Sequence, residues 1–181
     1  GTMTKTWGFN GPFLGPTLYM RRGETIEMTV RNELPEPTVV HWHGLHLPAT
    51  ADGGPALMFG PGETWSPTWT VDQPAATCWY HPHPHEKSAL HAYRGLAGGL
   101  IIEDDDSAFS GLPNDYGVDD IPVIIKDANF TDDGQFDEDN GWLGDTVLVN
   151  GITKPRFEPT TQRLRLRVLN GTTMRYLHLT L

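Results

Sequence analysis

The sequence has 181 residues, with 23 acidic side chains against 13 basic ones and a formal net charge of −10 at pH 7. Glycine and proline make up about a fifth of it and charged residues only 20%, a composition that disfavours coiled coils and helical bundles. We expect no nucleic-acid partner and no attraction to anionic membranes, because both are recognised through clustered Lys and Arg, which this sequence lacks. No apolar run approaches 18 residues, so we also expect no membrane insertion.

Short segments typical of β-strands recur between turn residues. In 25–31 the apolar residues Ile26, Met28 and Val30 alternate with polar ones, which predicts a half-buried strand. The further predicted strands, in chain order, are 38–43, 64–72, 76–81, 98–103, 121–126, 146–150, 163–169 and 174–181. No stretch keeps a helical period over three turns without Pro or Gly. The sequence therefore predicts an all-β sandwich of Greek-key type.

The composition becomes acidic and turn-rich from residue 103 onward, which is typical of a connection between domains. We predict an N-terminal domain over 1–104, an acidic linker over 105–118 and a second domain over 119–181. Asn170-Gly171 is interpreted as a hairpin turn between the last two strands. The second domain is shorter than the ~100 residues of a typical sandwich. We therefore expect it to be incomplete and the chain to be part of a longer protein.

Seven of the eight histidines lie between positions 41 and 91, and four of them form two pairs. His41 and His43 are two residues apart, as are His81 and His83, and this spacing puts both side chains on one face of an extended segment. The Cα atoms of each pair are then roughly 6.5 Å apart, close enough for two imidazoles to reach one ion or two neighbouring ions. The two pairs together predict a metal site.

The second pair is further constrained by the prolines at 82 and 84. A residue before proline is pushed toward extended conformations, so His81 and His83 are biased toward this geometry before any metal binds. Imidazole suits zinc, copper, iron and nickel alike, so the spacing does not identify the metal.

The remaining histidines and the cysteine are given structural roles. We predict that four histidines are solvated or hydrogen-bonded, with His91 in a loop and His178 on the polar face of the last strand; these are His46, His85, His91 and His178. Cys78 cannot form an intrachain disulfide, so cysteine usage does not indicate a compartment. Cys78 is three residues before His81, so the two side chains point to opposite faces of a strand. We interpret Cys78 as a buried small residue rather than a ligand.

The paired histidine motifs, with their neighbours, closely resemble the first domain of bacterial multicopper oxidases, in particular the three-domain cuprous oxidases and their laccase-like relatives. The similarity covers nearly the whole chain. The motifs that carry it are His41-Trp42-His43-Gly44-Leu45, Asp52-Gly53-Gly54-Pro55, Thr77-Cys78-Trp79-Tyr80-His81-Pro82-His83, Gly95-Leu96-Ala97-Gly98 and Ile101-Ile102-Glu103-Asp104, continued by 121–127, 144–151 and 164–171.

This resemblance implies cupredoxin-like β-sandwich domains and copper as the cofactor. It implies that His41 binds the type 2 copper of a trinuclear cluster, and that His43, His81 and His83 bind its paired type 3 coppers. The other ligands and the type 1 copper are expected in a C-terminal domain of the same protein. The implied reaction oxidises a small substrate, such as a cuprous or other metal ion or a phenol, one electron at a time and reduces O₂ to water.

The resemblance also implies a periplasmic or extracellular location, although the sequence contains no signal peptide. It gives Asp52 the role of a catalytic residue that relays protons to the site, while the alternative is that Asp52 only begins the Asp-Gly-Gly-Pro turn.

Two other functions stay open. One is a non-catalytic member of the family with a structural role, since some relatives lose their copper ligands and act as structural or cell-division proteins. The other is a zinc or iron site of cupin type, which is also built from paired histidines on β-strands.

Overall fold

The computed structural model describes residues 3–108 and 110–180, and β-strands dominate it. The strands are β1 (Leu18–Arg21), β2 (Thr25–Glu27), β3 (Val30–Arg31), β4 (Val40–His43), β5 (Thr64–Trp65), β6 (Thr68–Thr70), β7 (Ala76–Pro82), β8 (Gly98–Glu103), β9 (Asp120–Ala128), β10 (Thr146–Val149), β11 (Ile152–Thr153) and β12 (Arg165–Asn170). The helices are a 3₁₀ turn (Pro55–Leu57), α1 (Ser88–Tyr93) and α2 (Asp105–Ala108). The prediction of an all-β chain is confirmed. None of these helices has the length and hydrophobicity needed to cross a bilayer.

Two compact units are present, and each is discontinuous in sequence. The histidine unit consists of Pro16–Ser88 and Ala97–Ser110, so far as these are described. The second unit consists of Gly1–Gly15, Ala89–Leu96 and Gly111–Leu181, with the same limitation. The predicted boundaries at 104 and 119 stay predictions. The predicted linker contains α2, whose first turn begins with acidic residues.

The histidine unit is a two-layer sandwich. Its main sheet has the order β1-β8-β7-β4, in which β1 runs parallel to β8 and the other neighbours are antiparallel. The short pairs β2–β6 and β3–β5 supply the opposing layer. Trp42 of β4 packs against Trp65 of β5 and Trp69 of β6, with ring centroids 6.3 and 5.4 Å apart. These indoles form the centre of the core because burying large aromatic surface is strongly favourable.

The alternation predicted for 25–31 is confirmed, although two short strands replace one long one. Ile26, Met28 and Val30 are half-buried, and the residues between them are exposed. Pro67 explains the interruption, because it cannot donate a hydrogen bond within a ladder and so separates β5 from β6. Its carbonyl instead accepts the Met28 N–H, which leaves β2 and β3 separate as well.

The second unit is built on a sheet of order β11-β10-β9-β12, with β12 parallel to β9. The strand predicted for 174–181 is wrong for 174–180, and Leu181 lies outside the described residues. The predicted hairpin at Asn170-Gly171 is therefore wrong too. The Asn170 side chain bonds to Thr172 and to the Arg175 carbonyl, and the Arg175 guanidinium bonds to the buried carboxylate of Asp127. These polar contacts hold the chain after β12 in place, and residues 174–180 form no strand.

The loop predicted around His91 is also wrong. His91 lies in α1 and is fully buried, with its ring edge-on to Trp7 at a centroid distance of 5.0 Å. A helix of six residues is too short to leave a readable period in the sequence, which is why it was missed.

A buried ion pair in the second unit gives a stability test. Arg167 makes a bidentate contact with Asp120, at 2.7 and 2.9 Å from Nε and 2.7 Å from Nη2, and both side chains are largely buried. Arg167→Ala leaves the buried carboxylate short of its main partner, so we expect the free energy of unfolding to fall by about 3 kcal/mol. Chemical denaturation measures this change.

The matched control is Arg156→Ala, because Arg156 pairs with Glu158 in the exposed part of the same unit. We expect that substitution to cost less than about 1 kcal/mol. Equal effects of the two substitutions would contradict the importance of the buried pair.

Candidate metal centre

The antiparallel pairing of β4 with β7 builds the site. The register places His41 opposite His81 and His43 opposite Trp79. Side chains alternate across a strand, so these four residues share one face of the sheet. Trp42 and Tyr80 lie between them in sequence and are buried on the other face, where the Tyr80 hydroxyl donates to the Pro16 carbonyl at 2.8 Å. The core therefore anchors both strands while the imidazoles face away from it.

The predicted histidine pairs lie together. The ring centroid of His41 is 5.5 Å from that of His43, 5.4 Å from that of His81 and 5.6 Å from that of His83. His41, His43 and His81 each offer a nitrogen, and these three atoms lie within 4.8 Å of one another. One ion or a small cluster of ions can thus be reached by imidazoles from both strands.

Backbone carbonyls fix the ring orientation of two of these histidines. His41 Nδ1 lies 2.8 Å from the Asp52 carbonyl oxygen, and His81 Nδ1 lies 3.0 Å from that of Pro82. A carbonyl only accepts hydrogen bonds, so each Nδ1 carries a proton and Nε2 is the nitrogen that each ring can offer to a metal. Metal-binding histidines usually show this arrangement. The His81 Nε2 atom accepts a hydrogen bond from His43 Nδ1 at 3.2 Å.

The donor set fits copper. His43 Nδ1 and His81 Nε2 are 3.2 Å apart, a separation that two metal–nitrogen bonds of ~2.0–2.1 Å can span. Imidazole nitrogen is a good ligand for copper as well as for zinc and iron, and Cys78, the only cysteine, lies on the other face of β7 by its parity. Cys78 is half-buried, and this burial raises the pKa of its thiol.

His83 lies just beyond the end of β7. Its backbone N–H donates to the Val39 carbonyl at 3.0 Å, which ties the segment to the start of β4. Its ring centroid is 6.1 Å from that of His81. His83 lies beside the other rings but is not among the three whose nitrogens lie within 4.8 Å, so its role as a ligand stays a prediction.

Burial favours the neutral form of His81 and His43. It lowers the pKa of His81 to about 4, against the opposing effect of the Pro82 hydrogen bond, and neighbouring imidazoles lower it further. Partial burial together with His41 and His83 also lowers the pKa of His43, whereas Asp52 raises it. Only a neutral imidazole has a lone pair for a metal, so both lowered pKa values favour the form that binds.

Asp52 lies directly beside His41, and Gly53 makes this approach possible. The Asp52 Oδ2 atom is 3.6 Å from His41 Nδ1, and the carboxylate is partly exposed. Gly53 has a φ of +78°, and a Cβ there would lie 1.8 Å from the Val40 carbonyl oxygen. The loop can therefore pack directly on the β4 backbone and bring Asp52 to the histidines. The sequence predicted the Asp52 carboxylate at the site but missed its carbonyl as a partner of His41.

Three of the four other histidines are exposed, in agreement with their predicted roles. His46 and His178 are exposed, and the side chain of His85 is 73% exposed. Trp79 is the residue of this face that was missed. Its position two residues before His81 could have revealed it, because that spacing puts both on one face.

Comparisons with known proteins show the family to which the chain belongs. The sequence profile of the multicopper oxidases matches residues 1–107. The multicopper oxidase mco of Staphylococcus epidermidis is 41% identical over 98% of this chain and 40% of its own length. The cell division protein FtsP of Xenorhabdus nematophila is 43% identical over 94% of this chain and 37% of its own length.

The crystal structure of a laccase from Pediococcus acidilactici is similar over 92% of this chain and 37% of the laccase, with 42% identity and a TM-score of 0.88. The cupredoxin-like fold inferred from the sequence is thereby confirmed. The chain spans about two fifths of the length of the curated relatives named above.

The lowered pKa of His81 predicts how stability depends on pH. Between its ordinary value of 6.5 and about 4, the unfolded chain binds a proton at this position that the folded chain does not. His81 therefore lowers the free energy of unfolding as the pH falls through this range. We expect metal-free His81→Gln protein to lose less stability between pH 6.5 and 4 than the unaltered protein, as measured by denaturant unfolding.

The control is His85→Gln, because the His85 side chain is 73% exposed and lies outside the histidine cluster. A titration of His81 near pH 6.5 by NMR in the metal-free protein would contradict this prediction.

Proposed function

Because the chain belongs to the multicopper oxidase family, we propose that it forms the N-terminal part of an oxidase that couples one-electron oxidation of a small substrate to reduction of O₂ to water. The observation that carries this proposal is the convergence of His41, His43 and His81 on one face of the sheet, together with the lowered pKa of His43 and of His81. The activity belongs to the whole protein, of which this chain represents about two fifths by comparison with its relatives.

In this proposal His41 holds the type 2 copper, and His43, His81 and His83 hold the paired type 3 coppers. Copper suits the reaction because it changes between two oxidation states and binds imidazole well. The chain's own contribution is to hold these rings in place and to lower the pKa of His43 and His81. The β4–β7 ladder fixes the positions of the rings, and the Asp52 and Pro82 carbonyls fix their tautomers.

Asp52 supplies protons in this proposal. Reduction of O₂ to water consumes protons, and a carboxyl group close to the site can deliver them. Its Oδ2 atom lies beside His41, and its partial exposure allows it to exchange protons with the solvent. The Asp52 carbonyl holds His41 at the same time, so this residue combines the proton-relay role with the turn role.

Several parts of the site come from the remainder of the protein. The remaining ligands and the type 1 copper belong to a C-terminal domain, which also selects the reducing substrate, a cuprous or other metal ion or a phenol. By family resemblance, we place the protein in the periplasm or outside the cell.

A second candidate function is a non-catalytic role in cell division. The 43% identity to FtsP of Xenorhabdus nematophila favours it. Metal analysis separates the two candidates, since a purely structural member has no need for bound copper. The same analysis tests the third alternative, because a cupin-type site would contain zinc or iron.

The histidine assignment predicts a joint loss of metal and activity. In the full-length protein, His43→Ala and His81→Ala should each lower the copper content and abolish oxidase turnover, because each removes one of the converging nitrogens. His85→Ala is the control, since His85 is exposed and belongs to the same histidine-proline segment. Copper content is measured by elemental analysis and turnover by O₂ consumption. An equal loss in His85→Ala would refute the assignment.

The Asp52 assignment predicts that a substitution can lower oxidase turnover without lowering the copper content. Asp52→Asn keeps the backbone carbonyl that holds His41 but removes the ionisable group, so copper should stay bound while O₂ reduction slows by about 10²-fold. Steady-state kinetics and copper analysis of the full-length protein measure both. Unchanged turnover would leave Asp52 with a turn role alone.

A further inference from the structure

An indole completes the array of side chains on the histidine face. The β4–β7 register forms two adjacent cross-strand pairs, His41 with His81 and His43 with Trp79. Three corners of this array carry imidazoles with nitrogens close together, and the fourth carries Trp79. The indole therefore lies beside the nitrogens that the metal would bind, without offering a ligand of its own.

Trp79 contacts both the His43 ring and the His81 ring. Its ring centroid is 4.1 Å from that of His81, with an angle of 31° between the planes, and 5.1 Å from that of His43, with an angle of 32°. Aromatic rings that pack at these distances attract one another. The indole thus restrains the planes of two imidazoles that come from different strands.

The packing of Trp79 differs from that of the core tryptophans. Trp42 and Trp69 are 2% and 5% exposed and pack with each other inside the sandwich. Trp79 is only half-buried, faces away from that core, and makes its ring contacts in the described structure with His43 and His81. Its position is explained by the histidines rather than by the core.

We propose that Trp79 is a positioning residue that packs against His43 and His81 and holds Nδ1 of the first and Nε2 of the second aimed at a shared metal position. The 3.2 Å separation of these atoms depends on the rotation of both rings. His81 also has the Pro82 carbonyl to orient it, and His41 packs edge-on against both rings at centroid distances of 5.5 and 5.4 Å. The indole differs from His41 in lying face to face with both rings, tilted from them by only 32° and 31°. The predicted effect of Trp79 on copper retention rests on the proposed copper function. Its predicted effect on the orientation of the two rings does not.

The test compares Trp79→Leu, which removes the aromatic face, with Trp79→Phe, which retains one. The control is Tyr19→Leu, which removes a partly exposed aromatic ring from β1 at the opposite edge of the same sheet. Full-length copper-loaded proteins are mixed with a chelator, and the rate of copper loss is followed by elemental analysis. We expect at least about tenfold faster loss from Trp79→Leu, near-normal rates from Trp79→Phe, and no change from Tyr19→Leu.

A second readout requires no metal. In crystal structures of the copper-free proteins, the separation of His43 Nδ1 and His81 Nε2 should remain near 3.2 Å in Trp79→Phe. It should exceed the hydrogen-bonding limit of about 3.5 Å in Trp79→Leu. If Trp79→Leu does not fold, Trp79→Met replaces it.

Three outcomes would overturn the proposal: Trp79→Leu retaining both copper and ring geometry, Trp79→Phe losing copper as fast as Trp79→Leu, or Tyr19→Leu doing so. Absence of copper from the unaltered full-length protein would instead refute the proposed function. The copper-free geometry would then still decide the role of Trp79.

Discussion

The pairing of β4 with β7 is the constraint on which the candidate metal centre depends. A shift of this register by one residue would turn every side chain of one strand to the other face and move its imidazoles into the core. The observed register instead puts His41 opposite His81 and brings both histidine pairs to one side. It is fixed from the opposite face, where Trp42 and Tyr80 are buried and their ring centroids lie 6.0 Å apart. The apolar core thus determines the geometry of a polar site on the other face of the sheet.

The face that carries the histidines combines burial with access. Burial is sufficient to lower the pKa of His81 to about 4, yet His43 stays exposed. Neutral, oriented imidazoles are what a copper site requires, and an ion can reach them from the open side. The backbone carbonyls of Asp52 and Pro82 orient the rings of His41 and His81. The orientation of these rings therefore depends on loop conformation more than on the side chains at positions 52 and 82. Gly53 is essential for one of these loops because any larger residue would collide with β4.

The sequence predicted those parts of the molecule that depend on local spacing. The shared face of His41 and His43 follows from strand parity alone, and so does the half-buried alternation around Met28. The alternation of side chains along one strand does not show which strands pair. The contact of Trp79 with His43 from the neighbouring strand could therefore not be predicted. The buried position of His91 was missed because α1 is too short to show a period. The apolar alternation of 174–181 suggested a strand, but polar anchoring by Arg175 replaced it.

Anomalous X-ray diffraction at the copper absorption edge, from crystals of the copper-loaded full-length protein, tests the central claim most directly. The account predicts copper peaks within about 2.0–2.1 Å of imidazole nitrogens of His41, His43 and His81, with two of these nitrogens meeting where His43 Nδ1 and His81 Nε2 now approach each other. Copper found elsewhere in the protein, with these imidazoles free of metal, would contradict it.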